Sequence, residues 1–389
     1  MKMIEINDEE PLRGVKIKIY PTKDQIDEIE KNIATSRAIY NMALYIQKTN
    51  YEKGIKFTKY FDMIRIFYEL KEKEEYSWMK EVSVGTIECA LKNLDDAYNL
   101  FFKKASNFPR YKTKKSKNQA VSMRSDASYP KGNYFKVSGI KGLIKTNYPI
   151  YDRHTKIHNV CISTNGYGDY WLSFSIYRKR KDMSNVPVSD PIGVDVGVRN
   201  LITTSDGEYF HLPDVSKLEK KKKRLDRHTS KYQLKYLNES IHTKTKYEDI
   251  PKSKRYDKLM KKRWKVCNKI SDIYRTYIHN STKKIVQKNP SAIVIETVRS
   301  SDMVKHSRTL RKESNKMMFY EIHKQIKYKA NDRGIPVFIA DKYFPSSQLC
   351  SRCGFRQKVS SSIYKCPICG LEIDRDLNAA YNLRDLAIS

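Results

Sequence analysis

The chain has 389 residues and a strong basic excess, 76 Lys plus Arg against 44 Asp plus Glu, which gives a formal net charge of +32. Such an excess repels itself in a folded protein and indicates a polyanionic partner, of which nucleic acid is the commonest. The longest apolar runs are strand-sized, well below the roughly 18 residues that a bilayer-spanning helix needs. The acidic start lacks a signal-peptide core. We therefore expect no membrane partner and a cytoplasmic, nucleoid-associated protein.

The first half of the chain changes from strand to helix and back to strand. Residues 14–20 alternate apolar and charged side chains, as a half-buried strand does. Helical patterns then run from residue 23 to about 104, and strand patterns fill residues 120–177, with a hairpin signal at Asn165-Gly166. This order predicts a β-barrel domain, residues 1–25 and 119–187, interrupted by a helical domain, residues 26–118.

A polar linker places the main boundary near residue 188, and the pattern beyond it is that of an α/β domain. Buried strands are predicted at 192–197, 292–296 and 336–340, a hairpin at 201–210, and helices at 216–288, around 319–330 and at 376–386. The order is hairpin strands, long helix, strand, helix, strand, helix. It predicts an RNase H-like α/β domain made of residues 188–345 and 371–389.

Three carboxylates are candidate ligands for a metal. Asp195 is the one charge in an apolar strand, Glu296 ends the apolar run Ala292-Ile-Val-Ile, and Asp376 begins the last helix. A buried carboxylate is costly unless it is paired or holds a metal. Three of them meeting would suit Mg²⁺, which prefers oxygen ligands, and a two-ion site hydrolyses phosphodiesters. On spacing alone, strand ends and a helix cap remain the alternative interpretation.

Four of the seven cysteines form two matched pairs, Cys350-Ser-Arg-Cys353 and Cys366-Pro-Ile-Cys369. Each pair has two intervening residues and is followed by a glycine. This spacing is typical of a tetrahedral Cys₄ zinc site, which is structural because no ligand position stays open. We expect one structural Zn²⁺ in a ribbon formed by residues 346–370.

Two basic segments are candidate nucleic-acid contacts. Residues 216–288 contain 24 Lys or Arg against 7 Asp or Glu, too few acids for a salt-bridged surface. Residues 110–117 form a second basic segment, in which an aromatic side chain can stack on a base; a solvated loop is its alternative. The predicted contact residues are Arg110, Tyr111, Lys112, Lys221, Lys222, Arg224, Lys262 and Arg263. No Gly-rich phosphate loop is present, so no nucleotide cofactor is expected.

Four motifs, in this order, resemble the TnpB (OrfB) family of transposon-encoded nucleases, which are related to type V CRISPR effectors. They are Gly193-Val-Asp-Val-Gly-Val-Arg-Asn-Leu201 with Ser205-Asp-Gly207; Ile293-Val-Ile-Glu296; the two cysteine pairs with Ser346-Ser-Gln-Leu349; and Asp374-Arg-Asp-Leu-Asn-Ala-Ala-Tyr-Asn382. Asn-Phe-Pro-Arg-Tyr-Lys at 107–112 also resembles the N-terminal half of the family. One departure is Thr297-Val298, where an acidic residue and Leu are usual.

The resemblance implies a RuvC nuclease core split into three segments, with Asp195, Glu296 and Asp376 as its catalytic, Mg²⁺-binding residues. Mn²⁺ is expected to substitute for Mg²⁺. It also implies that the β-barrel is wedge-like, the helical domain is a recognition domain, and the zinc ribbon binds target nucleic acid. A guide RNA encoded beside the gene would direct cleavage of both strands of double-stranded DNA, next to a transposon-adjacent motif, by base pairing.

Two related functions remain as alternatives. The first is a guided DNA-binding repressor that has lost catalysis, although such relatives typically lose a carboxylate and this chain keeps all three. The second is a small type V CRISPR effector, which a neighbouring repeat array would distinguish.

Overall fold

The computed structural model describes residues 2–4, 12–114, 116, 118–150, 156–177, 186–197, 199–239, 253–297, 318–341 and 343–388. The chain divides into two compact units, residues 10–179 and residues 1–9 with 180–389. No helix among the described residues is long and apolar enough to cross a bilayer.

The strands of the described residues are β1 (Lys2–Ile4), β2 (Leu12–Tyr20), β3 (Gln119–Ser122), β4 (Tyr129–Lys136), β5 (Ile144–Ile150), β6 (Ile157–Thr164), β7 (Tyr170–Tyr177), β8 (Ile192–Asp195), β9 (Ile202–Thr204), β10 (Tyr209–Phe210), β11 (Ile293–Ile295), β12 (Val337–Ile339), β13 (Ile363–Lys365) and β14 (Glu372–Asp374). The helices are α1 (Lys23–Glu52), α2 (Tyr60–Glu72), a 3-10 helix (Glu74–Glu81), α3 (Val84–Phe102), α4 (Ser216–Glu239), α5 (Lys254–Gln287), α6 (Phe319–Asn331) and α7 (Arg375–Asp385).

The unit of residues 10–179 contains a six-stranded antiparallel sheet with the order β3-β6-β7-β2-β5-β4. Its buried face carries alternate residues of the strands, such as Ile17 and Ile19 of β2. The helices α1 to α3 lie between β2 and β3 in the chain, and they pack around a second core that includes Phe67 and Leu91. Within the described residues β3 and β4 do not pair with each other, so closure into a barrel stays a prediction.

Helix α1 begins where the sequence changes from strand to helix chemistry. The side chain of Thr22 accepts a hydrogen bond from the amide of Gln25, and the Gln25 side chain accepts one from the amide of Thr22. This capping box satisfies two amides that the first turn leaves without a helical partner. The helix therefore starts at Lys23, as predicted from the sequence.

The second unit has a mixed six-stranded sheet with the order β1-β12-β11-β8-β9-β10. Strands β8, β11 and β12 are parallel to one another, and β9 is antiparallel to β8. Ile293 and Ile295 of β11 belong to the core with α5 and α6, whereas Val294 between them packs with Leu383 of α7. Helices therefore cover both faces of this sheet, which confirms a mixed α/β fold.

Two predictions of the fold are wrong. Residues 2–4 were expected in the β-barrel, but β1 pairs antiparallel with β12 in the mixed sheet. The sequence near β1 does not indicate this pairing, because β1 has only three residues and its partner strand lies more than three hundred residues further along the chain.

The predicted single helix over 216–288 is two helices that pack on each other. Ser253 caps a new helix by accepting a hydrogen bond from the amide of Tyr256. Residues 240–252 lie outside the described residues.

Candidate metal and catalytic site

Asp195 and Glu296 lie at the carboxyl ends of two neighbouring parallel strands. Val194 of β8 is paired with Ile295 of β11, so the next step in this register brings Asp195 beside Glu296. Adjacent strands are roughly 4.8 Å apart. Both carboxylates are partly accessible to solvent, whereas the residues just before them in the strands are buried. The two side chains that the sequence singled out therefore meet at one edge of the sheet.

Helix α7, which carries Asp376, packs on β8, the strand that ends in Asp195. A Cβ added to Gly193 of β8 would lie 2.0 Å from the carbonyl oxygen of Ala380 and 2.5 Å from the amide nitrogen of Arg384. The backbone of α7 thus rests directly on β8, with Ala379 and Ala380 fully buried. Asp376 is in the first turn of this helix and is 6% exposed.

The negative charges of the other two carboxylates act on Asp195. Burial raises the pKa of Asp195 well above its ordinary value, and the negative charges of Glu296 and Asp376 raise it further. Burial also raises the pKa of Glu296, against which a hydrogen bond from the Ser346 hydroxyl acts. A bound divalent cation would offset the cost of charging these two buried carboxylates, Asp195 and Glu296. The donor set therefore fits a hard, oxygen-binding ion.

Asp376 and its neighbour Asp374 are held by different partners. The Oδ1 atom of Asp374 accepts hydrogen bonds from the amides of Asp376 and Leu377, so Asp374 is the N-cap of α7. The Oδ2 atom of Asp376 accepts hydrogen bonds from Arg199 and from Asn200. Asp374 therefore has a structural task of its own, and Asp376 is the more deeply buried of the two.

The side chains of the four predicted zinc cysteines lie close together. Their Sγ atoms all lie within 4.8 Å of one another, with 3.5 Å between Cys350 and Cys369 and 3.5 Å between Cys353 and Cys366. This is the spacing of a tetrahedral set around one ion. Among the described residues it is the one group of three or more metal-binding side chains gathered so closely; the three carboxylates do not form a second such group.

Each cysteine pair is a tight turn closed by a glycine. The amide of Gly354 donates to the carbonyl of Cys350, and the amide of Gly370 donates to the carbonyl of Cys366. Both glycines have positive φ angles, 73° and 69°, a conformation that side chains disfavour. The glycine after each second cysteine is thus explained by the backbone that the turn requires.

Two asparagines of α7 tie this ribbon to the helix that carries Asp376. The Nδ2 atoms of Asn378 and Asn382 donate to the carbonyl of Leu349 at 2.6 and 2.8 Å, and Asn382 also donates to the carbonyl of Ser346 at 2.7 Å. Asn378 accepts a hydrogen bond from the amide of Ser351 at 3.0 Å. One helix therefore holds the first cysteine pair on one side and β8 on the other.

The predicted nucleic-acid contacts occupy different settings. Lys221 and Arg224 on α4 and Lys262 on α5 are exposed, and Lys222 is half-buried. Arg263 forms a 2.5 Å ion pair with Asp226, so it joins α5 to α4.

In the other unit, Arg110, Tyr111 and Lys112 are exposed in the loop after α3. The ammonium of Lys112 lies 4.0 Å from the ring centroid of Tyr40, and the backbone of Lys112 is bonded to Asn41. Lys112 therefore packs on α1 in this structure.

Two parts of the chain match known domain families. Residues 319–383 match the family described as Cas12f1-like, TNB domain, and residues 12–56 match a helix-turn-helix domain (OrfB, IS605). In the structure residues 12–56 contain strand β2 and the single 30-residue helix α1.

Two relatives match almost end to end, both with the provisional name RNA-guided DNA endonuclease. InsQ from Escherichia coli strain K12 is 28% identical over 394 residues, covering 96% of this chain and 91% of InsQ. A Streptomyces pristinaespiralis protein is 27% identical over 382 residues, covering 95% of this chain and 88% of the relative. The chain is therefore similar to the TnpB (OrfB) family over nearly its whole length. The resemblance found in the four motifs is confirmed.

The fold of this chain is similar to that of a protein in a solved nucleic-acid complex. The protein in the cryo-EM structure of the Cas12f1-sgRNA-target DNA complex aligns over 93% of this chain and 82% of its own, with a TM-score of 0.52 and 12% identity. At this identity the likeness concerns the fold alone.

The sequence patterns did not indicate the residues that support the three carboxylates. Arg199, Asn200 and Ser346 contact Asp376 or Glu296, and Asn378 and Asn382 hold the ribbon. Polar residues inside the motifs could have indicated them. Asn378 and Asn382, for example, are four residues apart and so lie on one face of the last helix. Thr297, where the motif departs from the family, donates to the carbonyl of Ala340 at 2.8 Å and so links the end of β11 to β12.

Proposed function

We propose that this chain is an RNA-guided DNA endonuclease, in which a guide RNA directs double-strand cleavage of DNA next to a transposon-adjacent motif. The observation that carries the proposal is the parallel pairing of β8 with β11, which sets Glu296 beside Asp195 on the sheet that α7 covers with Asp376. The names of the near-full-length relatives support the same reaction. Such a nuclease would work in the cytoplasm, at the nucleoid.

Asp195, Glu296 and Asp376 would hold Mg²⁺, or Mn²⁺ in its place. When bound, a pair of such ions activates water and stabilises the leaving oxygen of the phosphodiester. The protein's own part is to orient the ligands. Ser346 donates to Glu296, and the backbone contact at Gly193 fixes the helix that carries Asp376. These partners hold carboxylates that would otherwise repel one another.

The four cysteines would bind one structural Zn²⁺, because a Cys₄ set leaves no ligand position for a substrate. The ion would fix the loop from Ser346 to Cys350. Since this loop supplies the hydroxyl that contacts Glu296 and the carbonyls that α7 binds, the ribbon would support the nuclease site directly. Residues 346–370 would form the target-nucleic-acid-binding module, between RuvC-like segments 188–345 and 371–389.

Five of the exposed lysines of α5 form a stripe that suits a nucleic-acid backbone. They are spaced three or four residues apart, and they are Lys254, Lys258, Lys261, Lys265 and Lys269. Spacing of this kind places side chains on one helix face, here over about 22 Å of helix. We assign this lysine stripe to the phosphates of the guide RNA or of its duplex with target DNA, which would be held by charge rather than by base sequence.

The experiment is to purify the full chain with its co-purifying RNA, sequence that RNA, and then replace its guide segment. A single abundant RNA ending beside the gene, and a DNA cut that moves with the new guide, are the expected results. Guided binding without any cut would support the repressor. RNA derived from a repeat array would identify a CRISPR effector, and the absence of bound RNA would overturn the proposal.

A further inference from the structure

The two oxygens of the Asp376 carboxylate have different surroundings. Oδ2 accepts hydrogen bonds from Nε and Nη2 of Arg199 at 3.2 and 3.0 Å, and from Nδ2 of Asn200 at 3.0 Å. Oδ1 lies 3.7 Å from Nε of Arg375, which is beyond hydrogen-bond length. Among the described residues no donor bonds to Oδ1. One oxygen is therefore saturated and the other is left for a further partner.

The same guanidinium also fastens the start of α7. Nη2 of Arg199 donates to Oδ2 of Asp374 at 2.5 Å, and the other oxygen of Asp374 caps the helix. Arg199 thus spans the capping residue and Asp376 with one planar group. A planar fork with several fixed donors suits this task, whereas the single flexible ammonium of lysine does not.

We propose that Arg199 is a positioning residue that, together with Asn200, fixes Oδ2 of Asp376 and so presents Oδ1 to the divalent ion. This inference rests on the proposed metal-dependent nuclease. Hydrogen bonds to the far side of a metal-binding carboxylate orient it and tune its affinity. The sequence did not indicate this contact, because Arg199 and Asp376 belong to two different motifs and are 177 residues apart in the chain.

A second role for Arg199 would be to substitute for the cation and leave when the metal binds. Two contacts favour positioning. Asn200 is neutral and bonds the same oxygen, so it adds orientation without adding charge. Arg199 also holds Asp374, whose capping role is independent of any metal. The two roles predict opposite results when the guanidinium is removed, since a departing cation competes with the metal and a positioning group assists it.

The test is a Mn²⁺ titration of the full-length protein, in which electron paramagnetic resonance measures free Mn²⁺. Sites that are lost in Asp195→Asn define the carboxylate site. Arg199→Gln should weaken Mn²⁺ binding there by about 10- to 100-fold. Arg199→Lys, which keeps the charge but loses the fork, should weaken it less. The matched control is Arg384→Gln, which removes the same charge from α7 where the side chain pairs with Asp385, and it should leave affinity unchanged.

Unchanged or tighter Mn²⁺ binding in Arg199→Gln would overturn the inference. Thermal unfolding and zinc content establish that each variant is folded at the titration temperature. If Arg199→Gln does not fold, Arg199→Lys decides, because wild-type affinity in that variant also contradicts a positioning role. A wild-type protein with no Asp195-dependent Mn²⁺ site would instead refute the proposed function, so the two failures are distinguishable.

Discussion

Gly193 lies so close to Ala380 that a Cβ at position 193 would be 2.0 Å from the Ala380 carbonyl oxygen. The neighbouring atom belongs to the backbone of α7, so it cannot swing aside as a flexible side chain does. The close approach seats the helix that carries Asp376 on the strand that carries Asp195. The glycine in the motif around Asp195 is therefore required by packing between two elements.

We predict that Gly193→Ala lowers the free energy of unfolding by more than about 3 kcal/mol. The added Cβ would clash with backbone atoms of α7, and no flexible side chain can move to relieve the clash. Chemical denaturation of the full-length protein measures the change. The matched control is Gly14→Ala, since a Cβ there meets no atom within 4 Å. Equal stability of the two variants would show that α7 can shift away from β8 at little cost.

We predict that Asp195→Asn reduces DNA cleavage by at least about 10³-fold, because it removes a ligand of an ion that contributes several kcal/mol to the transition state. Guided DNA binding should survive, measured by gel shift with the same guide and target. The control is Asp190→Asn, which changes an exposed aspartate just before β8. Loss of binding together with cleavage would assign Asp195 a structural role instead.

The raised pKa of Asp195 predicts a pH-dependent stability when no Mg²⁺ is added. Its folded pKa lies above its unfolded one, so the stability contributed by the protonated group is complete below the ordinary pKa of about 4 and is lost as pH rises through the folded value. Asp195→Asn resembles the protonated group. Its melting temperature should therefore exceed that of the wild type at pH 8, and the difference should narrow toward pH 5. A constant difference in melting temperature across this pH range would be inconsistent with a raised pKa of Asp195.

Zinc binding can be separated from the chemistry of the other thiols. Cys353→Ser should reduce bound zinc from about one ion per chain to near zero, because three remaining thiols do not complete a closed site. Metal analysis of the purified protein measures this. The control, Cys267→Ser on α5, should retain full zinc. Hydrogen exchange should also speed up around residues 346–374 in Cys353→Ser, and unchanged zinc in that variant would contradict the four-cysteine site.

The lysine stripe of α5 predicts a change in salt dependence. Replacing Lys258, Lys261 and Lys265 with Gln should lower the slope of log affinity against log salt by about 2 to 3, since each phosphate contact contributes roughly 0.7 to 0.9. Filter binding of the guide RNA over a salt series measures it. The charge-matched control replaces Lys53, Lys56 and Lys59, which are exposed outside the stripe. Equal slopes in both triple variants would attribute the effect to overall charge.

The sequence predicted the elements whose signal is local. The apolar runs ending in Asp195 and Glu296 could be identified as buried strands, and the cysteine spacing indicated one metal site. The contacts that hold these residues could not be read, because Arg199 meets Asp376 across 177 residues and Asn382 meets Ser346 across 36. Local composition does not encode which of several exposed arginines reaches a distant carboxylate. For the same reason the position of β1 in the mixed sheet could not be predicted, because its partner strand β12 is distant in the chain.

The most direct test of the carboxylate site is anomalous scattering from a crystal of the full-length protein soaked in Mn²⁺. We expect anomalous peaks between Asp195, Glu296 and Asp376, with up to two ions roughly 3.5–4 Å apart. The peaks should disappear in crystals of Asp195→Asn. Mn²⁺ bound elsewhere, with the three carboxylates left uncoordinated, would contradict a shared metal site at these residues.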